Sequence, residues 1–238
     1  MKKHHFFPIL VSAVLFTSCS PKYYSANTQN VPLISAKGES NLTFAGNSDQ
    51  LNFQGAYGVT NGFAIKADVG FFNPQNHDNG DGGSGKFFEV GGGYFTPLAG
   101  NFVLEVYGIA GMGSMENHFP SSVEANPQTT GKITADLFRY GVQPNFGYKS
   151  KYFSAAISSR LVGLNYASIE GDLIYDGEDQ VAYLNNNSSH FLIEPAITLK
   201  AGIDKVKLQV QLGNSFNVSN PDFRQDKGFL TMGLNFKF

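Results

Sequence analysis

The carboxyl-terminal segment is the feature that most limits what this chain can fold into. From residue 230 to residue 238 every second residue is apolar, and the residues between them are small or polar. A period of two predicts a β-strand whose two faces meet different surroundings. The apolar members of this strand are Leu230, Met232, Leu234, Phe236 and Phe238.

Nine further segments alternate in the same way, and turn residues separate them. One face of each segment is apolar and almost free of charge, and the other face is polar. No segment after Phe16 is long and apolar enough for a transmembrane helix, so only a closed barrel could cross a membrane. We therefore predict an all-β, antiparallel up-and-down transmembrane β-barrel of about ten strands. The predicted strands are 39–47, 50–59, 63–72, 86–96, 101–113, 132–148, 152–166, 188–201, 205–216 and 227–238.

Short and long connections alternate along the chain, except that the first hairpin, around residues 47–49, is short on the long-loop side. The short ones lie near residues 61, 98, 150 and 203, and the long ones cover 73–85, 114–131, 167–187 and 217–226. Short turns at one rim and long loops at the other are typical of outer-membrane barrels. An even strand count then predicts that both chain ends lie at the short-turn rim, on the periplasmic side.

Aromatic residues near the strand ends resemble the girdles that mark membrane interfaces. The residues predicted for the short-turn rim are Tyr94, Phe95, Phe102, Tyr148, Tyr152, Phe153, Phe236 and Phe238. Those predicted for the long-loop rim are Phe71, Phe87, Tyr166, Phe191 and Phe229.

The amino-terminal segment carries export signals. Two lysines precede an apolar run that ends at Phe16, which is typical of a signal peptide over 1–18. The Thr17–Ser18–Cys19 segment resembles a lipoprotein lipobox, although Phe16 takes the place of the usual branched aliphatic residue. This resemblance implies that Cys19, the only cysteine, is lipidated. An ordinary signal peptide cut elsewhere is the alternative. The polar residues 19–36 are predicted to form a tether, and 37–238 the barrel.

The charged side chains on the polar strand faces are the best candidates for a functional site. Four acids and five bases are predicted to point into the lumen, where buried charges must be paired or solvated. They are Lys66, Asp68, Glu89, Glu105, Arg139, Arg160, Glu194, Lys200 and Lys207. One interpretation is a salt-bridge network that fills a narrow barrel. The other is a narrow solute path with Arg139 and Arg160 as selectivity residues.

No other pattern indicates chemistry. The net charge is −2, or −4 once Lys2 and Lys3 leave with the signal, and no basic tract predicts nucleic-acid binding. His77 to Gly83 resembles a calcium loop but lacks the later glutamate ligand, so we expect no metal site there. Ser189 and His190 are adjacent and should point to opposite faces of a strand. Ser188 and His190 share a face, but no nucleophile motif surrounds them. We expect no catalysis and no cofactor.

The signal segment, the ten strands and the terminal Phe238 together resemble small outer-membrane β-barrel lipoproteins of the Bacteroidota type, a family largely of unknown function. The resemblance implies assembly by the outer-membrane machinery, with residues 230–238 as its signal, and outer-membrane lipid as a partner. The resemblance says almost nothing about activity. Of the functions that remain open, we favour a structural or surface-interaction role in which the loops 114–131 and 167–187 face outward and bind an extracellular ligand. Two alternatives remain: a narrow channel for ions or small solutes, and a soluble periplasm-facing barrel that binds an apolar ligand.

Overall fold

A computed structural model describes residues 20–76, 80–120 and 128–238. Cys19 and the signal segment, together with residues 77–79 of the calcium-like loop, lie outside this range. The barrel strands are β1 (Ser40–Gly46), β2 (Gln50–Gly58), β3 (Phe63–Asn76), β4 (Gly82–Leu98), β5 (Phe102–Phe119), β6 (Gly131–Lys149), β7 (Phe153–Gly171), β10 (Ser189–Gly202), β11 (Val206–Asn214) and β13 (Gly228–Lys237). Shorter elements are β8 (Ile174–Tyr175), β9 (Glu178–Asp179), helix α1 (Gln180–Asn186) and β12 (Phe216–Asn217).

Within the described residues these ten long strands close into an antiparallel barrel, which confirms the predicted fold class. Each long strand pairs with its neighbour along the chain, and β13 returns to pair with β1. Phe44 lies opposite Leu234 in that closing pair. Closure leaves every long strand with a partner on both sides, so no backbone edge remains open at membrane depth.

Several strands are longer than predicted at the long-loop rim. β3 continues to Asn76, β5 to Phe119 and β7 to Gly171, so much of the predicted loops 73–85 and 114–131 is paired strand. The predicted limits followed the apolar alternation, but the hydrogen-bond ladder continues through polar residues beyond it. The 167–187 loop folds into the β8–β9 hairpin and helix α1. Asp179 caps α1 by accepting bonds from the amides of Val181 and Ala182.

The two faces of the wall differ as the alternation predicts. Large apolar side chains cover the outside, among them Leu104 on β5 and Leu208 on β11, whereas the inward positions are buried and mostly polar. The large apolar faces therefore point outward, which is opposite to the direction that the soluble-barrel alternative requires. Among the described residues, no helix is long and apolar enough to span a membrane.

The predicted aromatic girdles are correct only in part. Tyr94, Tyr152 and Phe238 are exposed on the outside. Four other members point inward and are buried, because their strand positions have the parity of the polar face: Phe87, Phe95, Tyr166 and Phe229.

The predicted tether is wrong for the residues that the structure describes. Residues 20–36 do not lie outside the barrel but run through its lumen, and we call this segment the N-terminal plug. Its residues 26–34 are all buried, and Thr28, Gln29 and Ile34 are fully so. Polar composition made the segment look solvated, but its polar groups bind polar groups of the wall instead of water.

Candidate functional site: the plugged lumen

The N-terminal plug begins at the long-loop rim. The Lys22 amide donates to Asn117 Oδ1 (3.0 Å), and Asn117 Nδ2 donates back to the Lys22 carbonyl (2.9 Å). The Tyr23 amide donates to the Arg224 carbonyl (2.9 Å), and the Asp226 amide donates to the Tyr24 carbonyl (2.9 Å). These backbone bonds fix the direction of the chain as it enters the lumen.

Aromatic side chains cover this upper end of the plug. Tyr23 packs against Tyr183 of α1 and against Phe223, with ring centroids 5.8 and 6.0 Å apart. The Tyr166 hydroxyl donates to the Tyr23 carbonyl (3.0 Å). The Arg224 guanidinium stacks over the Tyr183 ring at 4.6 Å. The loops are therefore packed on the plug itself.

Two buried arginines grip the middle of the plug. Arg139 Nη2 and Arg160 Nη1 both donate to Asn27 Oδ1, at 2.9 and 2.7 Å. Each arginine also has a buried carboxylate partner: Arg139 pairs with Glu89 at 2.6 Å and Arg160 with Glu194 at 2.8 Å. Asn27 thus bridges two ion pairs from which water is excluded, where charged hydrogen bonds are strongest.

Tyr24 connects these two ion pairs from above. Arg139 Nη1 contacts the Tyr24 hydroxyl at 2.6 Å, and that hydroxyl donates to Glu194 Oε1 at 2.8 Å. The phenol accepts from one ion pair and donates to the other. The plug therefore completes a network whose acids and bases come from β4, β6, β7 and β10.

Below the arginines, amide side chains hold the plug. The backbone N–H of Gln29 donates to Gln211 Oε1 (2.6 Å), and Ser158 Oγ donates to the side-chain oxygen Oε1 of Gln29 (2.7 Å). Asn30 Nδ2 donates to Asp68 Oδ1 (2.8 Å). Gln29 and Asn30 therefore satisfy polar groups on three separate strands, β11, β7 and β3.

The lower end of the plug binds lysines and a glutamate. Lys200 Nζ donates to the Val31 carbonyl (2.8 Å), and Lys149 Nζ donates to the Leu33 carbonyl (2.6 Å). Glu105 Oε1 accepts from the Ile34 amide (2.7 Å). Gly147 makes room here, since a Cβ on it would lie 2.8 Å from Leu33 Cδ2.

Residues of the plug influence the pKa values of ionisable groups at the two rims. Burial tends to raise the pKa of Glu39, but the Lys149 ammonium and the Ser35 amide outweigh it and hold that pKa below its usual value. Burial raises the pKa of Asp226, against the opposing effects of the Ser25 hydroxyl and Lys22. Ser25 Oγ donates to Asp226 Oδ2 at 2.5 Å.

All nine charged residues named from the sequence lie inside the barrel and are buried. Six contact the plug: Asp68, Glu105, Arg139, Arg160, Glu194 and Lys200. Glu89 acts through Arg139. Lys66 donates to Gln143 (2.6 Å), and Lys207 donates to the Ser150 carbonyl (2.7 Å).

The sequence reasoning missed the plug residues that these groups bind, above all Tyr24, Asn27, Gln29 and Asn30. It also missed Asn117 and Lys149 on the wall. The available signal was the set of inward polar side chains on the strands, because buried polar groups need hydrogen-bond partners.

Two small cavities border the plug. They hold about 30 and 20 Å³, which is room for one or two water molecules each. In the described ranges no group of three or more His, Cys, Asp or Glu side chains is arranged to hold a metal ion. Ser189 is exposed and donates to Asn165 Oδ1, whereas His190 is buried against Phe223, so the two side chains lie on opposite faces.

No protein-family model and no curated protein matches the sequence. Solved structures with a similar fold include an outer-membrane channel from Pseudomonas putida F1, at 11% identity over 89% of this chain and 99% of that one, with a TM-score of 0.39. The KdgM porin in complex with disordered oligogalacturonate is 10% identical over 84% of this chain and 99% of its own, and the NanC porin 11% identical over the same shares. Both have a TM-score of 0.36. The similarity concerns the outer-membrane type of barrel fold alone.

Proposed function

We propose that this protein is an integral outer-membrane β-barrel whose lumen is closed by its own N-terminal plug, and that it acts in structure or surface interaction. The observation that carries the proposal is the burial of residues 26–34 within the lumen. A barrel with a filled lumen offers its loops and its outer wall for function, and no catalytic role is proposed.

The apolar outer wall supports the proposed location in a membrane. Large apolar side chains stand exposed around the ring, on strands as far apart as β1, β6 and β10; examples are Phe44, Phe138 and Ile197. Exposure of this apolar surface to water would be unfavourable, and soluble proteins rarely expose a contiguous apolar area of this extent. We assign the short-turn rim to the periplasmic side, because long loops lie outside in this class of barrel.

The terminal strand β13 supports assembly by the outer-membrane machinery. Leu230, Met232 and Leu234 point outward and are exposed, so the alternating signal is available on the lipid face. We propose residues 230–238 as that signal. Lipidation of Cys19 belongs to the same proposal and rests on the lipobox-like sequence.

A surface role rests on the loop face at the long-loop rim. Helix α1 and the loop before β13 are packed on Tyr23 and are linked by Arg224, which pairs with Glu178 at 3.0 Å. A preorganised surface of this kind suits binding of an extracellular ligand, because less conformational freedom is lost on association.

Planar-bilayer conductance tests the closed lumen. The purified full-length protein is expected to insert without the steady current of an open ten-stranded barrel, because residues 20–36 fill the cross-section. A sustained ohmic current from every inserted molecule would contradict the proposal and favour the alternative of a narrow channel. Insertion itself is scored separately, by resistance of the barrel to SDS before boiling.

A further inference from the structure

The two ends of the described chain lie at opposite rims of the barrel. Phe238 exchanges backbone hydrogen bonds with Ser40, both at 3.0 Å, beside the short turns. Lys22, near the other end, is clamped by Asn117 of β5 and lies 3.9 Å from Asp226 in the long loop before β13. The prediction that both ends lie at the short-turn rim is therefore wrong for the amino-terminal side.

The chain between these points crosses the lumen once and in one direction. Its contacts move steadily from the long-loop rim to the short-turn rim: Lys22 on Asn117, Asn27 on the central arginines, and Leu33 on Lys149 at the end of β6. An extended chain spans at most about 3.3–3.6 Å per residue. The thirteen steps from Lys22 to Ser35 thus suffice to cross a hydrocarbon core about 30 Å thick.

Contacts at the long-loop rim hold the emerging chain. Tyr23 and Tyr24 pair with residues 224–226 through backbone bonds, and Ser25 is bonded to Asp226. The Tyr23 hydroxyl donates to Gln180 Oε1 of α1 at 2.7 Å. Ser20, by contrast, is partly exposed. The chain therefore leaves the packed interior between α1 and the loop before β13.

We propose that the chain emerges from the lumen on the long-loop face, so that Ser20 is presented at this rim, on the side of α1. This inference rests on the proposed function, because the sidedness of the rims has meaning only for a membrane-spanning barrel.

Labelling of intact cells with a membrane-impermeant maleimide, in variants that each add one cysteine to the parent chain, tests the inference. Ser20→Cys reports the amino end. Asp222→Cys reports the long loops and Asp204→Cys the short turns, since both aspartates are exposed. The parent chain, whose only cysteine is Cys19, gives the background, and each variant is also labelled after the outer membrane is permeabilised and after unfolding.

Ser20→Cys and Asp222→Cys are both expected to react on intact cells, while Asp204→Cys reacts only after permeabilisation. If Ser20→Cys is labelled only after permeabilisation, as Asp204→Cys is, or only after unfolding, the inference is wrong. The barrel proposal would remain intact. If Asp222→Cys and Asp204→Cys show no difference in sidedness, the proposed membrane-spanning function itself is wrong.

Discussion

Arg160→Ala is expected to lower the free energy of unfolding by about 3–5 kcal/mol, which is the usual cost of removing one partner of a buried ion pair. Glu194, fully buried at 2.8 Å from Arg160, would lose the cation that pairs with its carboxylate. Asn27 would also lose one of its two arginines. Denaturant unfolding of the barrel in lipid vesicles measures the loss. No pore should open, because Arg139 still holds the plug.

The Lys132–Glu116 pair offers a matched control. Its atoms are also 2.8 Å apart, but both side chains are about half exposed, so Lys132→Ala should cost less than about 1 kcal/mol. An Arg160→Met variant should lose stability for the same reason as Arg160→Ala. Adding Glu194→Gln to it should recover part of the lost free energy of unfolding, since no unpaired charge remains buried. Equal stability of Arg160→Ala and Lys132→Ala, or a new large conductance in Arg160→Ala, would contradict this account of the lumen.

Asn27→Leu is expected to loosen the plug and to allow intermittent conductance. The leucine keeps the approximate volume of the side chain but removes the acceptor shared by Arg139 and Arg160. Hydrogen bonds to charged groups contribute about 1.5–3 kcal/mol each, so the two losses together should cost about 3–6 kcal/mol. Single-channel recording and denaturant unfolding in the same lipid measure both effects.

Asn27→Asp is the matched control for this variant. Its carboxylate keeps an acceptor between the two guanidinium groups, so the lumen should stay closed. A leucine variant that is as stable and as silent in the bilayer as the aspartate variant would show that the arginines do not hold the plug.

The barrel was predictable because each strand carries its own signal. A period of two assigns every residue of β5 or β11 to a face without knowledge of any partner strand. The inward charges follow from the same parity, and so does the buried position of Arg139 and Arg160. The outward apolar surface follows from it as well.

The plug was not predictable in this way because the contacts that hold its central residues are distant in sequence. Residues 20–36 have no periodicity, and Pro21 and Pro32 with several amides are typical of a linker. Asn27 becomes a structural residue only through Arg139 and Arg160, more than a hundred positions away. A ten-stranded barrel is also wider than the eight-stranded one that side chains alone can fill, so an extended chain has room.

A disulfide between the plug and the wall tests the central claim most directly. Thr28 Oγ1 lies 3.1 Å from Thr231 Oγ1 of β13, and both side chains are buried. A Thr28→Cys and Thr231→Cys double variant, folded in outer membranes, should give the linked pair of peptides in mass spectrometry after mild oxidation. The neighbouring Leu230→Cys, whose side chain points outward, should not link to Thr28→Cys. If Thr28→Cys fails to link to Thr231→Cys, or links equally to Leu230→Cys, residues 20–36 do not occupy the lumen.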